Sequence, residues 1–381
     1  MATKPQIVSA TLIVRNEERF LAGCLASLRG VADETVVVDT GSSDATRQIA
    51  VEYGARVFDF PWRDDFSAAR NYAIERARGS WILYIDADER VRAGDFEAVK
   101  RELADRRMIA CTVCFYPITG CTAYREYRLF RRDERIRFEG AMHETMVPSL
   151  RRLVEAGHGH IGQSSLTLDH LGYDGDQKHK LERNMRLLLK ETAADPDRLF
   201  LWWHLGTVYR DLGRTADAIA TWHKGIRLAT ASSFRFPEDG LCFIELARLL
   251  ATQGKDPLPL IERGLALQPG NYMLQWLKGK ALLARQRYDA AVPIFEALAA
   301  VDADTLVADA SYDKRIFGAW AFAELGGCAF RLGRYEESEQ WYDRAEERAP
   351  GSFELRVKRQ LARSRLASDV AGGGAIQGCH L

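Results

Sequence analysis

The sequence of 381 residues lacks the features of several large classes of protein. It has no excess of either charge, because 53 Lys and Arg residues balance 53 Asp and Glu residues. Nucleic acids and anionic membranes attract strongly basic chains, so the composition predicts neither as a partner. No apolar stretch is long enough to span a bilayer, since the longest uncharged one, 108–124, contains Pro117 and Gly120.

Cysteine is also scarce, with seven residues. Cys111 and Cys114 have a C-x-x-C spacing, but no second pair of ligands follows them at a zinc-binding distance. The segment 1–15 has the pattern of a strand rather than of a signal peptide. Neither a zinc site nor a disulfide framework is predicted, and a cytoplasmic protein with reduced cysteines is the expected class.

What the chain does have is an apolar run that ends in acids. Residues 81–85 are Trp-Ile-Leu-Tyr-Ile, the pattern of a strand buried on both faces, and an Asp-Ala-Asp-Glu sequence follows. Side chains two residues apart in an extended chain point to the same side, so Asp86 and Asp88 converge at the carboxyl end of the strand. Ligands of an open α/β sheet bind at that end, and paired carboxylates suit Mg²⁺ or Mn²⁺.

Strand-like and helix-like segments alternate in the first third of the chain. Strand patterns at 7–14, 36–38 and 55–60 come before the acidic strand, with helical spacing of apolar residues between them. This alternation predicts a parallel, doubly wound sheet. Asp39 ends one of these strands as Asp86 ends another, so both are expected at the ligand edge.

Four motifs in this order resemble those of family 2 glycosyltransferases with the GT-A fold, over roughly residues 7–175. They are Ile-Val-Arg-Asn-Glu-Glu at 13–18, Val-Asp-Thr-Gly-Ser-Ser-Asp-Ala-Thr at 38–46, Ala-Arg-Asn at 69–71 and Ile-Asp-Ala-Asp-Glu at 85–89. The resemblance implies an inverting, metal-dependent transfer of a sugar from a nucleoside diphosphate, with a UDP-sugar as the expected donor. One departure is Thr40, where many members of the family have Asp.

The resemblance also assigns roles to particular residues. Those expected to bind the nucleotide sugar are Asn16, Glu17, Asp39, Arg70, Asp86, Arg128 and Gly140. The expected ligands of Mn²⁺ or Mg²⁺ are Asp86, Asp88 and His170, although His170 could instead be a half-buried histidine bonded to the backbone. Arg128 could contact phosphate or acceptor, or could lie on a solvated strand with basic edges.

The segment 138–144 is similar to the glycine loop and following acid of GT-A enzymes. Gly140 would let the backbone approach the donor, and the acid after it would accept the proton of the acceptor. This chain has His143 and Glu144 there, so the resemblance leaves two candidates for the catalytic base, of which Glu144 is favoured.

From residue 176 onwards the spacing is helical. A linker helix at 176–196, helical repeats at 197–365 and a disordered tail at 366–381 are expected, with an irregular connection at 300–318. Two stretches match the tetratricopeptide pattern closely, and two others match it loosely. The close matches are Trp202, Leu205, Gly206, Tyr209, Gly213, Ala218 and Trp222, and then Leu325, Gly326, Gly333, Ser338, Tyr342, Ala345 and Pro350. Such repeats stack into a solenoid, which could hold a peptide or protein acceptor or pair two chains as a homodimer.

Two other functions remain open on the sequence. The chain could be a catalytically inactive GT-A and repeat scaffold that binds proteins. It could also transfer a nucleotidyl group, but no glycine-rich loop with a lysine follows the first strand, which disfavours that reaction. Thermal stabilisation by UDP with Mn²⁺ would separate the enzyme from the scaffold.

Overall fold

A computed structural model describes residues 8–92, 94–117, 120–171, 178–231, 237–308 and 310–373. The chain divides into two compact units, which are treated separately below. The first comprises Met1–Ala194 with Val307–Ser311, and the second comprises Asp195–Leu306 with Tyr312–Leu381. None of the helices in these described ranges is both long and apolar enough to cross a bilayer.

The first unit is built on one mixed sheet. Its strands are β1 Val8–Val14, β2 Glu34–Asp39, β3 Arg56–Asp59, β4 Trp81–Tyr84, β5 Glu89–Val91, β6 Met108–Pro117, β7 Ala123–Arg131, β8 His160–His170 and β9 Val307–Ala308. The order is β3-β2-β1-β4-β7-β6-β8-β5, with β9 paired to β7. Strands β1 to β4 are parallel, as the alternating pattern predicts, and β7 then joins β4 in the antiparallel sense. The α/β, GT-A-like fold is confirmed.

Helices cover both faces of this sheet. They are α1 Leu21–Ser27, α2 Thr46–Glu52, α3 Phe66–Arg76, α4 Phe96–Glu102, α5 Val147–Glu155 and α6 Lys178–Ala194. Alternation along β4 divides its side chains between two cores: Leu83 is buried in one with Leu21 of α1, and Ile82 is buried in the other with Ala73 of α3. Because β4 is packed on both faces, the position of its carboxyl end is fixed, and so is the start of the acidic segment that follows it.

Helix α6 lies where the sequence predicts a linker helix. The prediction gave it the range 176–196, and the structure gives Lys178–Ala194, within the first compact unit. Residues 176 and 177 lie outside the described residues. The helix therefore belongs with the sheet, and two of its side chains take part in the site described below.

The second unit is a succession of helices, which confirms the predicted tetratricopeptide-like region. They are α7 Leu199–Asp211, α8 Thr215–Ala231, α9 Leu241–Thr252, α10 Leu258–Leu267, α11 Tyr272–Ala284, α12 Tyr288–Ala299, α13 Ala319–Arg331, α14 Tyr335–Arg348 and α15 Phe353–Gly373. Short 3-10 helices occur at Pro237–Gly240 and Lys314–Phe317. The stretch 300–318, expected to be irregular, contains β9 and the second of these.

The predicted disordered tail at 366–381 needs correction. Helix α15 continues through Ser368 to Gly373, so the first part of that range is helical. The glycines at 372–374 favour a disordered tail, because glycine disfavours a helix interior, but the helix extends to the second of them. Residues 374–381 lie outside the described part of the chain.

Candidate active site

A cavity of about 850 Å³ opens in the first unit beside the residues that follow β1 and β4. It brings together most of the residues that the sequence singled out. Those that line it are Asn16, Glu17, Arg70, Asp86, Asp88, His143, Glu144 and His170. Asp39, Arg128 and Gly140 are not among its lining residues. Motifs spread over more than 150 positions of the chain therefore meet near the carboxyl ends of strands β1 and β4.

Arg70 connects the acidic strand end to the candidate base. Its Nη2 donates to Asp86 Oδ1 at 2.9 Å, and its Nε donates to Glu144 Oε1. The guanidinium also lies over the rings of Tyr84 and Phe138, 4.8 and 5.6 Å from their centres. Although burial lowers the pKa of an arginine, the two carboxylates outweigh it and raise the pKa of Arg70. Arg70 thus stays charged and fixes both acids.

Arg128 lies on the other side of Asp86 and is buried. Its Nη1 is 3.7 Å from Asp86 Oδ2, and its Nη2 is 2.7 Å from Glu89 and 2.8 Å from Glu126. The expectation of a solvated basic strand edge is therefore wrong for this residue, because a side chain 6% exposed cannot be solvated. The contact with phosphate or acceptor remains a prediction, although Arg128 does not line the cavity.

These neighbours set the charge of the acids. Burial alone would raise the pKa of Asp86, but Arg70 and then Arg128 outweigh it, so the pKa of Asp86 is lowered. The side chain of Glu89 is more deeply buried than that of Asp86, and it accepts a hydrogen bond from the backbone N–H of Asp86. Burial raises the pKa of Glu89 to about 7, and Arg128 limits the rise. Glu89 belongs to the acidic motif at 85–89, and the resemblance assigns it no role.

Asp88 and His170 form a second pair on the cavity wall. Strand β5 follows the acids and pairs with β8 so that Glu89 lies opposite His170. This register brings His170 Nε2 to 3.1 Å from Asp88 Oδ2. The hydrogen bond to Asp88 is the main reason that the pKa of His170 is raised. His170 therefore pairs with a carboxylate side chain, whereas the alternative given above was a histidine bonded to the backbone.

The donor types fit a divalent ion, because carboxylates suit Mn²⁺ or Mg²⁺ and an imidazole beside them is compatible with Mn²⁺. The structure brings these candidate metal ligands only partly together. Among the residues that the structure describes, no three His, Cys, Asp or Glu side chains are grouped as a ready metal site. Asp86 is held by Arg70 instead, so Asp88 and His170 are the pair most available to a metal.

The segment that carries His143 and Glu144 is fixed from two helices. From α3, Asn71 donates its amide N–H to the carbonyl of Phe138 and accepts the Phe138 N–H, both at 2.9 Å. From α6, Glu191 accepts the N–H of Met142 at 2.7 Å. Positive φ angles at Gly140 (98°) and His143 (52°) turn the chain within this segment. Glycine meets this need at no steric cost, whereas histidine is unusual there.

Helix α6 supplies two residues that the sequence reasoning missed. Glu191 holds Met142, and Asn184 lines the cavity. Neither stands in a recognisable motif, and both lie on a helix whose only evident pattern is its apolar stripe. Only the fold shows that this helix lies against the site.

The loops after β1 and β2 are tied to each other. Asn16, with φ at 58°, accepts the N–H of Ser43 at 2.8 Å through its side-chain oxygen, and the N–H of Glu17 donates to Thr46 at 2.7 Å. Asp39 is buried beneath them and accepts the N–H of Ser42 at 3.0 Å. Asp39 therefore stabilises this loop without lining the cavity, whereas Asn16 and Glu17 line it.

Residues 9–154 match the glycosyl transferase family 2 model, and residues 258–305 and 319–353 match a tetratricopeptide repeat model. A TPR repeat-containing protein of Synechococcus elongatus is 38% identical over 206 residues, which are 52% of this chain and 51% of that protein. The SPbeta prophage-derived glycosyltransferase SunS of Bacillus subtilis is 28% identical over 286 residues, 70% of this chain and 60% of that protein. The chain thus spans about half to three fifths of these relatives.

Two solved structures each resemble part of the chain. Glucosyl-3-phosphoglycerate synthase from Mycobacterium tuberculosis, solved with Mn²⁺ and UDP, is 17% identical with a TM-score of 0.36 and covers 46% of this chain and 75% of its own. YrrB, a TPR protein with an unusual peptide-binding site, is 18% identical with a TM-score of 0.36 and covers 49% of this chain and 84% of its own.

Proposed function

We propose that this chain, whose residues 9–154 form a family 2 glycosyltransferase domain, transfers a sugar from a nucleoside diphosphate sugar to an acceptor. The observation that carries the proposal is the meeting of Asp86, Asp88, Arg70 and Glu144 in one cavity at the end of β4. The donor that we propose is a UDP-sugar, bound between the loop at Asn16 and the acidic strand end.

Glu144 is the proposed catalytic base. A direct displacement at the anomeric carbon inverts that centre and requires one group to accept the proton of the acceptor. Glu144 is a carboxylate on the cavity wall, and Arg70 holds it in a defined position. His143 also lines the cavity and is the second candidate.

Asp88 and His170, with Asp86, would hold a divalent cation, Mn²⁺ or Mg²⁺. Such an ion, when bound, offsets the negative charge on the departing diphosphate. The chain itself supplies the carboxylate and imidazole ligands and the buried Arg70 and Arg128. These arginines keep Asp86 ionised, since they lower its pKa.

The tetratricopeptide region is the proposed site of a partner. It matches the repeat model over two separate stretches, and repeats of this type present surfaces for peptides or other subunits. A peptide or protein acceptor is the occupant that we favour, and a second copy of the chain is the other.

Release of nucleoside diphosphate from a panel of UDP-, GDP- and dTDP-sugars, with and without Mn²⁺, tests the proposal. We expect turnover of one donor, dependence on the metal, and thermal stabilisation by UDP with Mn²⁺. Asp88→Asn should remove the metal-dependent part of both signals. Asp169→Asn is the matched control, because Asp169 is adjacent to His170 but pairs with Arg92 outside the cavity lining. A native chain that neither turns over a donor nor is stabilised by UDP would be the inactive scaffold instead.

A further inference from the structure

Apolar side chains line one part of a cavity that is otherwise mainly polar. Trp62, Phe66 and Met142 take part in the lining beside His143 and Glu144. The rings of Trp62 and Phe66 meet edge to face, with centres 4.7 Å apart and planes at 69°. Such an arrangement is favourable for aromatic pairs, and it leaves the ring surfaces that face the cavity available to a ligand.

This aromatic pair is held in place before any ligand binds. The indole Nε1 of Trp62 donates to Asp64 Oδ1 at 2.9 Å. The next residue, Asp65, caps α3 by accepting the N–H of Ala68 at 2.9 Å. Phe66 is the first residue of that helix, so its position follows from the cap. Because these side chains are already ordered, a ligand that binds them loses little entropy in ordering them.

The pair is also tied to the candidate base at two points. The N–H of Phe66 donates to the carbonyl of Ala141 at 2.9 Å, three residues before Glu144. Phe66 and Arg70 are four residues apart on α3 and therefore share a helix face, and Arg70 binds Glu144. The aromatic pair and the base thus belong to one continuous wall of the cavity.

We infer that Trp62, Phe66 and Met142 form an acceptor wall that receives an apolar side chain adjacent to the nucleophile of a peptide. The inference rests on the proposed function, because the base of a displacement reaction lies on the acceptor's side of the sugar. Aromatic and thioether surfaces next to the base gain most from a partner that covers them with apolar surface. Polar groups elsewhere in the cavity serve the phosphates and ribose of the donor.

The wall can be tested without knowing the acceptor, through slow hydrolysis of the donor that the native chain turns over. A molecule on the acceptor wall excludes the attacking water and inhibits hydrolysis. The probes are N-acetyl-phenylalaninamide, N-acetyl-glycinamide as its counterpart without a side chain, and methyl glucoside as a sugar. We expect inhibition by the phenylalanine amide and much weaker inhibition by the other two at equal concentration.

Trp62→Ala should raise the inhibition constant of N-acetyl-phenylalaninamide about 3–10-fold, the usual range for one aromatic contact. The KM for the donor should change much less. Tyr53→Ala is the control, since Tyr53 is a 40% exposed aromatic residue of the same unit that does not line the cavity, and it should leave both constants unaltered.

Three results would overturn the inference while leaving the proposed function intact. One is a Trp62→Ala variant whose donor KM rises while inhibition is unaltered, which would make the wall part of the donor site. Another is equal inhibition by methyl glucoside with the same dependence on Trp62, which would indicate a sugar acceptor. The third is inhibition that does not depend on Trp62 at all. A native chain that neither turns over a donor nor is stabilised by UDP would instead remove the proposed function, and the inference with it.

Discussion

Charged side chains are placed differently in the two units. In the first, Arg70, Arg128 and Glu89 are buried together under the end of β4, with 9%, 6% and 2% of their surface exposed. In the second, none of the described Arg or Lys side chains is buried, and the pair of Arg285 with Asp256 is more than 40% exposed on both sides. Burying charge costs free energy unless each group is paired, and it is uncommon outside functional sites. The difference indicates that chemistry is concentrated in the sheet unit.

The helical unit is stabilised by close packing instead. In α13, a Cβ on Gly326 would lie only 2.9 Å from ring atoms of Tyr342 on α14. Gly279 and Phe295 repeat this arrangement between α11 and α12. Small residues at these positions let paired helices approach, so the unit can be built by repetition without burying any of its described Arg or Lys side chains.

The largest effect that we expect comes from the candidate base. Glu144→Gln keeps the shape of the side chain but removes its capacity to accept a proton, so turnover of the native reaction should fall about 10²–10⁴-fold. Steady-state kinetics with the donor and its acceptor measures this. The affinity for the donor should change little by comparison.

Glu139→Gln serves as the control for that substitution. Glu139 lies in the same segment, but its carboxylate pairs with Arg152 and it does not line the cavity. Turnover should stay near the native value. If Glu144→Gln kept near-native turnover as well, the role of base would pass to His143, and His143→Gln would then be the variant to measure.

Breaking a buried pair and an exposed pair tests the comparison itself. Arg128→Ala leaves Glu89 buried without its main cation, and the free energy of unfolding should fall by about 3 kcal/mol. Arg285→Ala removes one member of an exposed pair and should cost less than about 1 kcal/mol. Denaturant unfolding followed by circular dichroism measures both. Equal losses would mean that burial does not distinguish the two units.

The loss in Arg128→Ala should depend on pH in a definite direction. The pKa of Glu89 is already raised to about 7 in the folded chain, and removing Arg128 would raise it further. A carboxyl group with a raised folded pKa binds protons more tightly when folded than when unfolded. Stability is therefore lost as pH rises from the unfolded pKa towards the folded one. The variant should be less destabilised at pH 5 than at pH 8.

Two adjacent glycines give a smaller and more local test of the helical unit. Gly326→Ala would force Tyr342 to move, and we expect a loss of about 1–3 kcal/mol. At Gly327 the nearest atom to an added Cβ is the Tyr342 hydroxyl at 3.7 Å, an ordinary contact, so Gly327→Ala should raise stability by up to about 1 kcal/mol. Thermal melts of the two variants should move in opposite directions, and a common direction would contradict the packing argument.

Much of this structure could be predicted from the sequence because its local patterns are distinctive. The apolar run at 81–85 is compatible with little but a buried strand, and the side chains of Asp86 and Asp88 both reach the cavity, as their spacing predicts. The repeats were recognisable because each helix pair needs a small residue where it crosses its partner, as at Gly326.

What the sequence could not provide are contacts between distant segments. Arg70 joins Glu144, 74 positions away, and Asn71 holds Phe138, 67 positions away. Arg128 stands in a stretch rich in arginine, which is typical of a basic strand edge. It is nevertheless buried, because the register of β7 against β4 turns it towards Glu89. Helix α6 carries no motif for its part in the site. Each of these depends on how strands and helices assemble, which spacing along the chain does not specify.

The smallest effect concerns the pair of Asp88 and His170, where protonation of the imidazole can be followed directly. The hydrogen bond to Asp88 raises the pKa of His170 above its ordinary value of 6.5. An imidazole whose pKa is raised by folding contributes stability that is complete below the unfolded pKa and is lost as pH rises through the folded one. Titration of the ring protons by NMR measures this pKa in the metal-free protein.

Asp88→Asn should then lower the pKa of His170, since the amide cannot attract the imidazolium ion. Asp169→Asn, whose carboxylate pairs with Arg92, should leave it close to the native value. If Mn²⁺ or Mg²⁺ binds at Asp88 and His170, a diamagnetic ion such as Mg²⁺ should compete with the proton and lower the apparent pKa as its concentration rises, because only the neutral imidazole is a ligand. A pKa that responds to Asp88→Asn but not to Mg²⁺ would keep the pair and remove His170 from the proposed ligands of Mg²⁺.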